Sequence, residues 1–176
     1  MRSLLRACLI LIFLCNNAEA KIVHWKDIAG FTKVIDMYKR WDEKPQPYVW
    51  KTSEKGVALL SHINNQVNEN IPWKDFERGK DYWQTPKETL DKHGGDCEDL
   101  AILKMYYLLQ NGFPEEDIYI LQGVNIYGQM HAILQVIFEG KIYYLDNLVD
   151  DINFNTIKPL GSYTINRFGV TFTIKD

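Results

Sequence analysis

Two hydrophobic periods follow one another in this chain, and their order restricts the fold more than any other feature. Before about residue 110 the apolar residues recur at helical spacing, most clearly in residues 27–41 and 54–69. After that point, four stretches have strand character: residues 118–124, 130–138, 141–148 and 170–174. Because helical segments come first and strands second, the sequence predicts an α+β fold with an antiparallel sheet.

The start of the chain has the features of a secretory signal peptide. Two arginines precede an apolar run at residues 7–14, which is too short to span a bilayer, and Ala18-Glu19-Ala20 matches an A-x-A cleavage site. We therefore expect a signal peptide at residues 1–20 and one domain over residues 21–176. We also expect a periplasmic location and no membrane span after cleavage.

Cleavage would change both the cysteine count and the charge. Cys8 and Cys15 would leave with the signal, so Cys97 would remain without an intrachain disulfide partner. A lone thiol in an exported protein is either buried and inert or reactive and used. Subtracting two arginines and one glutamate from 20 basic and 23 acidic residues leaves a net charge of −4. This mild acidity, without a basic stripe, argues against nucleic-acid binding.

Cys97 lies where a helix is predicted to begin. Asp96 is a suitable N-cap, and Asp99, three residues on, completes an acidic version of a capping box. The unpaired N–H groups of a helix N-terminus favour a thiolate at the first helical position. Gly94 and Gly95 leave the sulfur uncovered by side chains. The position therefore suits a nucleophile.

The neighbouring carboxylates have the opposite effect on the thiol. Asp96, Glu98 and Asp99 place negative charge near Cys97 and should raise its pKa. A histidinium or a calcium ion could cancel that charge, since clustered carboxylates are hard oxygen ligands. Alternatively, all three acids only stabilise the helix N-terminus. The spacing alone leaves both interpretations open.

His131 is the histidine best placed to assist a nucleophile. It opens a predicted strand, and Glu139-Gly140 looks like a two-residue turn into the next strand. In that register residue 131 faces residue 148, which makes Asp146 a diagonal neighbour of His131 on the same face of the sheet. The sequence thus predicts a Cys97, His131, Asp146 triad. With His131 nearby, we expect the pKa of Cys97 to fall below that of a free thiol.

Four blocks of this sequence carry a resemblance to a known family: DYWQTP, GGDCEDLA, QMHAIL and LDNL. Over about residues 60–165 the chain resembles the bacterial transglutaminase-like cysteine peptidases. The resemblance implies a papain/transglutaminase-like fold, in which the nucleophile helix packs on an antiparallel sheet and Cys97, His131 and Asp146 match the triad. It also implies a Ca²⁺ site that uses Asp96 and Glu98, with Asp99 as a third ligand.

The family also suggests a biological role. Characterised members cleave the N-terminal region of large surface adhesins beside paired alanines, which controls biofilm attachment. An inner-membrane receptor that senses cyclic-di-GMP holds them inactive. This chain departs from that pattern in its short N-terminal part and its minimal connection between His131 and Asp146. The departures bear on the adhesin and the receptor and leave the chemistry unaffected.

The predicted function is that of a periplasmic, calcium-dependent cysteine endopeptidase acting on a protein. Trp83 or Gln84 could donate to the oxyanion, although Trp83 could equally pack in the core. Acyl transfer to an amine is an alternative, because the same triad serves both reactions. A calcium-dependent binding module and a catalytically inactive protector of a partner are further alternatives, which the intact cysteine, histidine and aspartate set disfavours.

Overall fold

The computed structural model of the protein describes residues 29–41, 54–76, 82–166 and 169–174, so the predicted signal peptide lies outside it. Four helices come first: α1 (Ala29–Arg40), α2 (Gly56–Asn70), α3 (Pro86–Lys92) and α4 (Cys97–Gln110). Five strands follow: β1 (Ile118–Asn125), β2 (Met130–Phe138), β3 (Lys141–Leu145), β4 (Ile157–Asn166) and β5 (Gly169–Ile174). The predicted α+β order is confirmed. Within these ranges, every helix is too short or too polar to cross a membrane.

The strands form one antiparallel sheet in the order β3-β2-β1-β4-β5. The sequence reading missed β4, which contains Pro159 and Gly161, two residues that usually interrupt strands. The sheet accommodates them with an irregularity, because the register of β1 on β4 shifts between Gln122 and Gly123. β1 is therefore the central strand, with β2 on one side and β4 on the other.

Helix α4 lies at the centre of the core. All of its residues from Glu98 to Leu108 are buried, which a helix achieves only when neighbours cover every face. It contacts α2, α3 and the sheet, where Ala132 and Leu134 of β2 belong to the same core cluster. Burial on all sides fixes the direction of α4 and so fixes where its first residue, Cys97, meets the sheet.

The turn between α3 and α4 is set by local backbone chemistry. Thr85 and Glu88 form the capping box that begins α3. The helix ends at His93, which has a left-handed backbone with φ of 49°. The carbonyl of Gly95 then accepts a hydrogen bond from the backbone N–H of Lys74 at 2.8 Å. This contact holds the entry to α4 against the segment that precedes α3.

The β2–β3 hairpin has the predicted turn and register. Glu139 and Gly140 have φ of 50° and 72°, as a two-residue turn of type I′ requires. The ladder pairs Phe138 with Lys141 and ends where Leu134 meets Leu145, so the expected pairing does not continue to residue 131. Beyond β3 the chain turns back, and the N–H of Tyr144 donates to the carbonyl of Ile152 at 2.7 Å.

Candidate active site

The structure brings His131 and Asp146 into direct contact. His131 is the second residue of β2 and Asp146 immediately follows β3. The Nε2 atom of the imidazole lies 2.8 Å from Oδ1 of the carboxylate. Only 6% of His131 and 1% of Asp146 are exposed to solvent. The hairpin therefore places Asp146 next to His131, although both residues lie beyond the last residue pair of the β2–β3 ladder.

Two further donors hold the carboxylate of Asp146. The Thr156 hydroxyl donates to Oδ2, and the backbone N–H of Leu148 donates to Oδ1 at 3.0 Å. Burial raises the pKa of Asp146, but the hydrogen bonds from His131 and Thr156 outweigh it and hold the pKa below its usual value. Asp146 is thus an ionised acceptor at neutral pH. The sequence reading missed Thr156, which directly precedes the unrecognised strand β4.

Cys97 lies against the strand that carries His131. It is the first residue of α4, after the N-cap Asp96, as predicted. The backbone N–H of Ala132, the residue next to His131, lowers the pKa of the Cys97 thiol. Helix α4 and strand β2 therefore meet where α4 carries the thiol of Cys97 and β2 carries the imidazole of His131.

The thiol itself is not activated as the sequence suggested. Its Sγ donates to Oε2 of Glu98 at 3.1 Å. Burial raises the pKa of Cys97 well above its usual range, and the charge and hydrogen bond of Glu98 raise it further. The N–H of Ala132 lowers the pKa without offsetting these effects. The prediction of a lowered thiol pKa is therefore wrong, and the opposing effect of the carboxylates prevails.

Two of the three acids around Cys97, Asp99 and Glu98, point to different partners. Asp99 accepts hydrogen bonds from the backbone N–H of Gln84 at 2.7 Å, from the Gln84 side-chain amide, and from the backbone N–H of Asp96 at 3.2 Å. Burial and the charge of Asp96 raise the pKa of Asp99 to about 7. Glu98 instead faces the thiol. The structure thus does not turn all three carboxylates toward one point.

This arrangement fits a calcium ion only in part. In the part of the chain that the structure describes, no group of three or more acidic, histidine or cysteine side chains is arranged to hold a metal ion. Both oxygens of Asp99 are engaged by N–H donors, so Asp99 fits a metal ligand poorly. Asp96 and Glu98 flank Cys97 and have the hard oxygen donors that calcium prefers.

The two candidate oxyanion donors, Trp83 and Gln84, are each engaged elsewhere in the structure. Trp83 is 2% exposed and belongs to the core cluster, and its backbone carbonyl accepts from Nη2 of Arg40 at 2.6 Å. Gln84 is 3% exposed and directs its amide to Asp99. The structure favours packing for Trp83 and a role in holding Asp99 for Gln84. Among the other histidines, His62 is half-buried on α2 and His93 is exposed.

Comparisons with known proteins agree on one family. A family model described as bacterial transglutaminase-like cysteine proteinase matches residues 36–160. Calcium-bound LapG of Legionella pneumophila is 25% identical over 80% of this chain and 77% of LapG, with a TM-score of 0.57. EGTA-treated LapG is 24% identical over 80% and 74% of the two chains, also at 0.57. No curated protein sequence matches the chain.

A more distant structure shares the fold alone. A candidate cysteine protease from Cytophaga hutchinsonii is 12% identical over 85% of this chain and 52% of that protein, with a TM-score of 0.54. The arrangement of helices and sheet therefore persists at an identity too low to carry an argument about residues.

Proposed function

Because the chain belongs to the bacterial transglutaminase-like cysteine proteinases, a family of cysteine peptidases with the predicted fold, we propose that it is a periplasmic endopeptidase whose substrate is a protein. One observation carries the assignment of residues. The buried 2.8 Å contact between His131 and Asp146 is made from the strand whose next residue, Ala132, has the backbone N–H that lowers the pKa of the Cys97 thiol. A helix-borne thiol, a strand-borne imidazole and an orienting carboxylate are the groups that acyl transfer requires.

Each group has a defined task in the proposed reaction. Asp146 accepts a hydrogen bond from the N–H at Nε2 of His131, which leaves Nδ1 as the basic nitrogen. Nδ1 takes the thiol proton, and Sγ of Cys97 attacks the carbonyl carbon of the scissile bond. The imidazolium then gives its proton to the leaving amine as the C–N bond breaks. Water, activated by the same imidazole, hydrolyses the resulting thioester and releases the acid product.

The first turn of α4 supports the developing negative charge. Its backbone N–H groups have no partners within the helix and form the positive end of the helix dipole. The attacking sulfur is on the first residue of that helix, so the carbonyl oxygen develops its charge close to these donors. This placement explains why the nucleophile is at a helix N-terminus rather than within a strand.

We further propose calcium as the cofactor, held by Asp96 and Glu98. A LapG structure is described as calcium-bound, and these two acids flank the thiol in this chain. When bound, the ion would neutralise the carboxylate charge that raises the pKa of Cys97. Asp99, which the sequence also suggested as a ligand, would hold Gln84 and the start of α4 in place instead.

The proposed substrate is a large surface adhesin, whose cleavage would control attachment of the cell. The proposed regulator is an inner-membrane receptor that senses cyclic-di-GMP. Both proposals derive from the family resemblance, and the likeness to LapG supports them.

The test is a comparison of protein N-termini in two strains of the source organism. One strain carries the wild-type chain and the other carries Cys97→Ala. We expect new N-termini on periplasmic or surface proteins only in the wild type, and the purified protein should reproduce the same cuts. Identical N-termini in both strains would contradict an endopeptidase. Attachment of a labelled primary amine to the cut protein would instead indicate acyl transfer as the main reaction.

A further inference from the structure

A lysine is buried beside the loop that carries Asp146. Lys104 belongs to α4, and only 1% of it is exposed. Its Nζ donates to the side-chain oxygen of Asn64 on α2 at 2.8 Å. Burial lowers the pKa of Lys104 to about 7, while the negative charges of Asp146 and Asp150 raise it. Lysines are almost never fully buried without polar partners, so this placement needs an explanation.

Two asparagines of α2 hold the same loop. Asn64 donates to the carbonyl of Val149 at 3.0 Å. Asn68 donates to the carbonyl of Asp146 at 2.9 Å and to Oδ1 of Asp150 at 3.0 Å. Residues four apart lie on one face of a helix, so α2 presents both amides to residues 146–150. Asn64 therefore connects the ammonium of Lys104 to the loop.

We propose that Lys104 is a positioning residue for the catalytic pair, and that its ammonium, held by Asn64, fixes the place and the charge of Asp146 beneath His131. The proposal rests on the proposed function for the roles of His131 and Asp146. Four titratable groups surround this point: Lys104 from α4, Asp146 and Asp150 from the loop, and His131 from β2. When Lys104 is protonated, its cation stabilises the Asp146 anion and weakens the attraction of that anion for a proton on His131.

Packing alone does not account for a lysine at this position. A methionine would fill a similar volume without the free energy that desolvating an ammonium costs, and such replacements are often neutral or stabilising. Lys104→Met therefore separates the charge from the packing. If the charge acts on the site, this variant should fold normally and still change the pKa of His131.

The first measurement is an NMR titration of His131 in the complete protein. Removal of the cation leaves Asp146 more attractive to a proton, so the pKa of His131 should rise by about half a unit to one unit in Lys104→Met. Lys141→Met is the matched control, because it makes the same change at the exposed start of β3. In an Asp146→Asn background, Lys104→Met should shift the pKa of His131 much less.

The second measurement is steady-state cleavage of a peptide substrate. The value of kcat should fall about 10- to 100-fold in Lys104→Met, because small displacements of catalytic groups have effects of that size. The value of KM should change less than about 3-fold, since a buried side chain does not contact substrate. Lys104→Gln keeps an amide donor for Asn64 and should show the same rise in the pKa of His131. This variant provides the test if Lys104→Met does not fold.

An unchanged His131 pKa in a folded Lys104 variant would overturn the proposal. An equal shift in the Asp146→Asn background would also overturn it, because Lys104 would then act without Asp146. The NMR readout needs no substrate, so it is separate from the test of the proposed function. Cleavage that survives Cys97→Ala would contradict Cys97 as the nucleophile and would leave the coupling of Lys104 to His131 measurable.

Discussion

Gln84 donates two hydrogen bonds to Asp99, one from its backbone N–H to Oδ1 at 2.7 Å and one from its side-chain amide to Oδ2. The contact ties the segment before α3 to the first turn of α4. It also divides the acids around Cys97, which are Asp96, Glu98 and Asp99, into two kinds. Asp99 is committed to N–H donors, whereas Asp96 and Glu98 flank the thiol, so their substitutions should have different consequences.

Calcium should stabilise the fold and support cleavage together. Binding to the native state alone raises the free energy of unfolding by about 2.7 kcal/mol when free calcium is about 100 times the dissociation constant. Magnesium should substitute poorly, because it keeps its waters and requires a small octahedral shell. Thermal melting and peptide cleavage in chelator, calcium and magnesium check this, with Asp96→Ala and Glu98→Ala expected to lose the response. If chelator alters neither quantity in the wild type, the acids serve only as helix caps.

Asp99→Asn should destabilise the protein with or without calcium. An amide at this position would place an NH₂ group against the Gln84 donors and leave a buried group unsatisfied, at about 1–3 kcal/mol. Chemical denaturation in chelator measures the loss, and the same experiment with calcium should show the stabilising increment intact. Loss of that increment would make Asp99 a ligand, as the sequence first suggested.

Glu98→Gln should make the thiol more reactive. Glu98 raises the pKa of Cys97, so the thiol stays protonated at neutral pH, and removal of the negative charge lowers the pKa and increases the thiolate fraction. The rate of iodoacetamide labelling at pH 7 in chelator should rise about tenfold for each pH unit by which the pKa falls. Glu116→Gln, on an exposed surface, is the control and should label like the wild type. Equal rates in all three proteins would remove Glu98 as the cause.

Thr156→Val should weaken Asp146 as an acceptor while preserving volume. Loss of the hydroxyl donor raises the pKa of Asp146 and should lower kcat about tenfold and stability by about 1–2 kcal/mol. The pKa of Asp146 is depressed in the folded state, so its stabilising contribution is present above the unfolded pKa and lost as pH falls through the folded pKa. The variant should therefore lose less stability than the wild type on acidification. Unfolding curves from pH 6 to pH 2 measure this difference.

The sequence predicted those parts of the site that depend on local chemistry. The β2–β3 hairpin follows from the turn at Glu139-Gly140 and from the alternation of its strands, and the start of α4 follows from its cap. Strand β4 was missed because Pro159 and Gly161 disrupt its pattern, and the irregularity that accommodates them is an extra residue of β4 itself, Leu160, which stands opposite no residue of β1 in the register. Thr156 was missed for the same reason, since it precedes a strand that was not recognised.

The polar network behind the site could not be found in the same way. Asn64 and Asn68 fit an ordinary helix, and the loop atoms they bind follow roughly 80 residues later in the chain. The pKa of Cys97 likewise depends on burial and on the direction of Glu98, neither of which the spacing determines. Side-chain direction and long-range contact are properties of the packed state, so a one-dimensional pattern does not contain them.

The contact between Tyr144 and Ile152 has a consequence for how the molecule avoids self-association. β3 is an edge strand, and an edge with open backbone groups can recruit a strand from another chain. Here the N–H of Tyr144 is occupied by a carbonyl of the loop that also carries Asp146. We expect Asn68→Ala to loosen that loop, and so both to slow turnover and to promote aggregation. Light scattering of the variant during prolonged incubation would measure the aggregation, and peptide cleavage would measure the turnover.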